Sequence, residues 1–177
     1  MIREINGITI ECVQGDIAKQ RDFLAVVNAA NAQLMPGGGV AGALHRAAGS
    51  GLAQECRSLA PIRPGEAVLS SGHNLPNKFV IHCLGPVYGR DMPSEELLAS
   101  CYRRALELAE CNDIDSIAFP AISAGIFGYP MQAAALVAFK TIIENIQQLK
   151  KVKKIRFVLF QGEYLKIHER VLCELVQ

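Results

Sequence analysis

Between Asn28 and Gly49 the chain reads NAANAQLMPGGGVAGALHRAAG, with three consecutive glycines, Gly37, Gly38 and Gly39, ahead of an alanine-rich helical pattern. A second glycine-rich connection, SAGIFG, runs from Ser123 to Gly128. Glycine lets the backbone approach a ligand closely and turn its N–H groups toward an anion, and a following helix N-terminus adds partial positive charge. Either loop alone could be an ordinary tight turn. Two at one edge of a sheet suit two linked phosphates, so a dinucleotide-like diphosphate is the expected ligand.

Two familiar phosphate motifs fail. Gly37, Gly39 and Gly42 match G-x-G-x-x-G, but AANAQLMP separates them from the preceding apolar run, and no acid ends a strand about 20 residues on. No G-K-[ST] follows, which excludes a Walker-type loop. Asp16, in QGDI, could accept a hydrogen bond from an exocyclic amine such as adenine carries, or cap the helical turn that follows, or do both. Asn28 and Asn31 flank two alanines; their amides suit ribose hydroxyls or the local backbone of a turn. Phe127 is too apolar for a solvent tip and would cover a sugar ring or fold back on the core. His45 follows the glycine loop on a helix. It could reach the site, although a packed or capped helix histidine is the commoner case; its near-neutral pKa keeps it a candidate. Adjacent strand residues point to opposite faces, which argues against a Cys83–His82 nucleophile pair. The six cysteines form no C-x-x-C pair and the four histidines are scattered, so no metal site or cofactor is expected.

These loops need rigid elements to hold them. Strands are expected at Ile8–Gln14, Phe23–Ala29, EAVLSSG, KFVIHCLG, Asp115–Ile122 and Lys154–Phe160. Helical spacing covers Val40–Leu59, interrupted by Gly49 and Gly51; Ser94–Asn112, with Ser94 as N-cap; a stretch with Pro130 near its first turn; and a closing helix, EYLKIHERVLCELV. Strands alternating with helices predict an α/β fold with a largely parallel sheet covered on both faces, and the turn HNLPN predicts some antiparallel pairing.

The 177 residues fit one domain spanning 1–177, half of them hydrophobic and a fifth charged. A net charge of +1 implies no strong attraction to nucleic acid or membrane. Lys150–Lys154, KKVKK, is the one charge run and is expected to be a solvated loop. Neither a signal core nor a membrane-spanning run is present, and most cysteines lie in apolar runs, which predicts reduced, buried thiols in a cytoplasmic protein.

VVNAANAQLMPGGGVAGALHRAAG, with GDI before it and HCLGP and FPAISAGIFGYP after it, resembles the macro domain family over nearly the whole chain. The resemblance implies a three-layer α/β/α sandwich around a central mixed, largely parallel sheet that binds ADP-ribose. Many members remove ADP-ribose from proteins or deacetylate O-acetyl-ADP-ribose. Carried over by motif, Asp16 and Ile17 would hold the adenine end, and Asn31 the distal ribose, where it would be catalytic. Gly38, Gly39, Val40, Ala41 and Gly42 would surround that ribose and the neighbouring phosphate. Ser123, Ala124, Gly125, Ile126 and Phe127 would cradle the diphosphate, and Phe160 would line the adenine pocket. The partner implied is ADP-ribose or an ADP-ribosylated protein, and a monomer is expected. One departure stands out. Bacterial and animal hydrolases of this type usually read GGGVDG, with the aspartate proposed as base, whereas this chain has Ala41, as archaeal and coronaviral members do.

Overall fold

A computed structural model describes all residues, 1–177. Seven strands form one sheet: β1 Ile2–Ile5, β2 Ile8–Gln14, β3 Ala25–Ala29, β4 Ala67–Ser71, β5 Phe79–Cys83, β6 Ser116–Phe119 and β7 Lys154–Leu159, in the spatial order β1-β2-β7-β6-β3-β5-β4. β2, β7, β6, β3 and β5 are parallel, while the edge strands β1 and β4 pair antiparallel. Five helices cover it: α1 Gly39–Ala48, α2 Ser50–Cys56, α3 Ser94–Cys111, α4 Met131–Asn145 and α5 Gly162–Leu175.

Strand alternation divides the interior into two layers. Ile8, Ile10, Ile81, Ile117, Phe119, Ile155 and Phe157 face α3, α4 and α5, where Tyr102, Phe139 and Leu172 complete the larger core. Val26, Val80, Ala118 and Val158 face the other way, against Leu44 and Ala48 of α1 and Leu52 and Cys56 of α2. Helices on both faces of a mixed sheet make the expected three-layer sandwich. Leu44 is fully buried and anchors α1; truncating such a leucine to alanine costs about 2–5 kcal/mol.

Three details differ from the reading of the sequence. A hairpin joins β1 to β2 through Asn6 (φ 52°) and Gly7 (φ 74°), a primed turn whose Asn-Gly signal lay unused in the sequence. Ser94 is the first helical residue of α3 and caps nothing; Pro93 occupies the cap position, and the Ser94 hydroxyl turns inward to donate to the Asp91 carbonyl at 2.5 Å. Cys12, Cys56, Cys83 and Cys101 are buried, but Cys111 and Cys173 are exposed. The expected interruption after α1 falls at Gly49, whose φ of 79° breaks the helix and starts α2.

Candidate functional site

Five parallel strands deliver their carboxyl ends to one edge, and there the chemistry-bearing segments meet. β2 brings Asp16 and Ile17, β7 brings Phe160, β6 leads into Ser123–Phe127, and β3 leads into Asn31 and the glycine loop. β2 and β3 are separated by β7 and β6, three interstrand steps of about 4.8 Å, or about 14 Å in all. The edge is therefore a shelf long enough for an extended dinucleotide-like molecule.

At the β2 end, Asp16 caps a short 3₁₀ turn, Ile17–Lys19: one carboxylate oxygen accepts from the Ala18 N–H at 2.9 Å. The second carboxylate oxygen remains available to a ligand, so the two roles read from the sequence are compatible. Ile17 is buried beside it. Phe160, just beyond β7, is 80% exposed, an aromatic face held out at the same end.

In the glycine loop, Asn31 acts as a clasp. Its Nδ2 donates to the Met35 carbonyl at 2.8 Å and its Oδ1 accepts from the Met35 N–H at 3.0 Å. The amide keeps one further proton and one further lone pair. Gly38 occupies the N-cap position of α1 without any side-chain cap, and Gly39 has φ 56°. The first-turn N–H groups of α1 thus face the shelf, together with the positive end of the helix dipole. Gly42 is dictated by proximity: a Cβ there would collide with the Gly37 carbonyl oxygen. Ala41 lies inside the first turn of α1 and is 5% exposed; the helix begins at Gly39, one residue ahead of the Val40 start that the spacing predicted. Val40 is half-buried and packs on the α1 core.

The second loop is shaped by Ser123, whose φ is 64° and whose carbonyl accepts from the Tyr129 N–H at 2.9 Å. Gly128 N–H donates to the Gly125 carbonyl at 3.0 Å, which leaves Ala124, Gly125, Ile126 and Phe127 as a tight arch. Ile126 is 96% exposed at its crest, while Phe127 folds partly back onto the core under α1. The reading of the sequence missed the segment after β5 as part of the site. Tyr88 N–H donates to the Phe127 carbonyl at 2.9 Å, the Tyr88 and Tyr129 rings pack 4.7 Å apart, and Gly85 lies so close to Ser123 Oγ that a side chain there would displace it. Its signal was the glycine of HCLGP directly after a strand.

His45 does not open onto this edge; it is 6% exposed beneath α1, and burial lowers its pKa. His82 faces the α1 layer and Cys83 the α3 layer, on opposite sides of β5. Nowhere do three or more His, Cys, Asp or Glu side chains cluster closely enough to hold a metal ion. No helix is long and apolar enough to cross a membrane. Two further concavities lie away from both glycine loops. One, of about 250 Å³, is lined by Ala67, Arg104, Glu107, Leu108 and Cys111. The other, of about 130 Å³, is at the amino ends of the strands, lined by Asp22, Asp115, Ser116, Lys153 and Lys154. Neither combines glycine-rich backbone with a helix N-terminus, so chemistry and not depth marks the carboxyl edge.

Residues 27–138 match the sequence model of the family described as Macro domain. Over 168 residues the chain is 43% identical to a Cronobacter turicensis protein named O-acetyl-ADP-ribose deacetylase, covering 92% of this chain and 95% of that protein. It is 45% identical over 164 residues to a Xenopus laevis protein named ADP-ribose glycohydrolase MACROD2, covering 91% of this chain and 39% of that longer one. The solved structure of an Oceanobacillus iheyensis macrodomain with ADP is similar at a TM-score of 0.95 and 41% identity, covering 99% of this chain and 96% of that one.

Proposed function

The chain belongs to the macro domain family, and from that premise we propose that it binds ADP-ribose along the carboxyl edge of its sheet and hydrolyses an ester at the distal ribose. The bond cut is the one joining that ribose to a mono-ADP-ribosylated protein, or the acyl ester of O-acetyl-ADP-ribose. The observation that carries this reading is the order of the elements on the shelf. Asp16 and Phe160 stand at one end, the Ser123–Phe127 arch in the middle, and Asn31 with the first turn of α1 at the other. That order supports adenine, diphosphate and distal ribose in sequence.

In this binding mode Asp16 accepts from the adenine amine, and Phe160 and Ile17 line the base. The arch and the N-terminus of α1 hold the two phosphates through backbone N–H groups, a cradle that needs no Lys or Arg. Asn31 aligns the distal ribose while clasping Met35. With alanine at position 41 no side-chain carboxylate serves as base there. The attacking water is oriented by Asn31, the loop backbone and the ligand's own phosphate, and positioning with electrostatic stabilisation supplies the rate. The six unpaired thiols support a reducing compartment, and we read the protein as a cytoplasmic, single-domain monomer.

A second reading is a module that binds ADP-ribose without turning it over, and the buried, apolar Ala41 favours it. Calorimetry with ADP-ribose, NAD and AMP, beside release assays on glutamate-linked ADP-ribosylated protein and on O-acetyl-ADP-ribose, separates the two. The hydrolase reading expects tight ADP-ribose binding, weaker NAD binding and measurable release. Binding without release from either substrate would leave the reader. Equal affinity for NAD and ADP-ribose would overturn the site assignment itself.

A further inference from the structure

From Phe23 to Gln54 the chain carries no acidic residue, and its one arginine or lysine there is Arg46. This segment builds the distal-ribose end of the shelf: β3, the Asn31 clasp, the glycine loop and α1. The helix adds the positive end of its dipole, with no acid in its first turn. The segment therefore offers positive charge and has no carboxylate of its own to answer it.

Arg46 is exposed, yet its side chain does not simply trail into solvent. It lies four residues after Gly42 on the same face of α1, and helical side chains lean toward the N-terminus of their helix. Its Nη1 is 3.0 Å from the point where a Cβ would stand on Gly42, and the Gly37 carbonyl oxygen is closer still to that point. The missing Cβ of Gly42 thus leaves room for the guanidinium beside the glycine loop. Gly37 also touches the clasp: a Cβ on it would stand 3.3 Å from Asn31 Nδ2. A single glycine separates Arg46 from the amide assigned to the distal ribose. The guanidinium itself has neither an ion-pair nor a hydrogen-bond partner; the arginines in ion pairs are Arg63, Arg90 and Arg156.

A free guanidinium is a planar fork that suits a carboxylate. ADP-ribose has no carboxylate, and in the binding mode above its phosphates are held by backbone N–H groups. The body that can bring a carboxylate to the exposed flank of the glycine loop is the modified protein, which lies beyond the distal ribose when its ester is in the site. We propose that Arg46 is a specificity-determining residue: it receives an acidic side chain next to the esterified glutamate, so that the protein favours targets modified within acidic sequence. The role rests on the ADP-ribose reading above and names the kind of polypeptide that fits it. Arg46 makes and breaks no bond; it holds the target chain against the loop. A solvated ion pair changes affinity by up to about fivefold and is screened by salt, so the preference is modest and strongest at low ionic strength.

Two ADP-ribosylated peptides test it, alike except that aspartates flank the esterified glutamate in one and asparagines in the other. At low salt and limiting substrate, wild type should release ADP-ribose from the aspartate peptide about three- to fivefold faster, and added salt should close the gap. Arg46→Lys should keep part of the gap, Arg46→Gln should abolish it and Arg46→Glu should invert it. Calorimetry with free ADP-ribose should give wild-type affinity in all three. Equal rates on the two peptides with wild type overturn the proposal without any variant, and so does a gap that survives Arg46→Gln. A glutamine variant that binds free ADP-ribose poorly and slows both peptides alike makes Arg46 a support of the loop, which also overturns it. If wild type binds the peptides and releases neither, their affinities are compared in place of rates, with the same outcomes deciding. If free ADP-ribose does not bind, the site reading and this role fall together; if it binds and the peptides are not distinguished, the role of Arg46 alone falls.

Discussion

Gly42 stands so close to the carbonyl oxygen of Gly37 that no side chain fits between them. The loop and the first turn of α1 are therefore one rigid piece, and the phosphate-facing N–H groups inherit their positions from that contact. Gly42→Ala should move the loop. It gains helix propensity, about 1 kcal/mol, but the collision with backbone outweighs this, and overpacking of that kind costs about 1–3 kcal/mol. Gly38 has open space around its Cα and an ordinary φ of −84°. Gly38→Ala should leave the thermal midpoint nearly unchanged, so any affinity it loses belongs to the ligand. Calorimetry on both variants checks this; equal destabilisation would mean the contact is not the constraint.

Asp16 caps its turn with one oxygen and, in the proposed mode, reads adenine with the other. Asp16→Asn keeps an oxygen for the Ala18 N–H and replaces the other with an NH₂, which cannot accept from an amine. Stability should hold while ADP-ribose binding weakens by about 1–3 kcal/mol and preference for adenine over hypoxanthine erodes. Asp16→Ala should lose stability as well, by about 0.5–2 kcal/mol. Unchanged base preference in the asparagine variant would reduce Asp16 to a cap.

Asn31→Ala removes two hydrogen bonds to Met35, at 2.8 and 3.0 Å, together with the contact proposed to the distal ribose. Turnover should fall more than affinity, because alignment of the distal ribose counts most in the transition state. An unchanged rate at saturating substrate would remove Asn31 from the catalytic role.

Ala41→Asp puts a carboxylate at a position 5% exposed. The dipole of α1 favours it, but desolvation and the nearby diphosphate oppose it. ADP-ribose affinity should fall. Release of ester-linked ADP-ribose should stay level or rise modestly, well below the ~10²–10⁴-fold of a well-placed base. If the wild type is inactive and this variant switches activity on, the protein is a reader that lost its base.

His82 and His168 are both buried, and desolvation pushes each down to about 4. Their unfolded-state value is about 6.5, so as pH falls below it the unfolded chain takes up protons that the folded chain refuses. Stability should be level above that value and fall steadily toward the folded values, by on the order of 3 kcal/mol for each histidine at the lower end. Urea midpoints measured from neutral pH downward check the slope. A flat profile through the upper part of the window would mean these rings find a proton acceptor in the fold.

Much of the site was legible in the chain because its information is local. Pro36–Gly42 and Ser123–Gly128 join a strand to a helix, and glycine at such junctions reports close backbone approach through its own lack of a Cβ. Asp16 before IAK announced both a cap and an acceptor. The elements were equally readable from apolar period, down to the break at Gly49, and the Asn-Gly turn of the first hairpin was present in the sequence though not read.

What the chain could not show is which distant segments become neighbours. The two glycine loops share an edge because β3 and β6 pair in parallel, Ala25 against Ile117, across some ninety residues. Tyr88 and Gly85 join the site only because β5 lies on the far side of β3. Ala41 is buried in the first turn of α1 because Leu44 and Ala48 draw that helix onto the sheet, a packing that no local pattern records. The contacts among Asn28, Ser70 and His82 unite residues from three strands. Periodicity encodes what one segment prefers. Pairing, burial and the partners of a buried polar atom depend on the whole sheet, and those were decided only when it assembled.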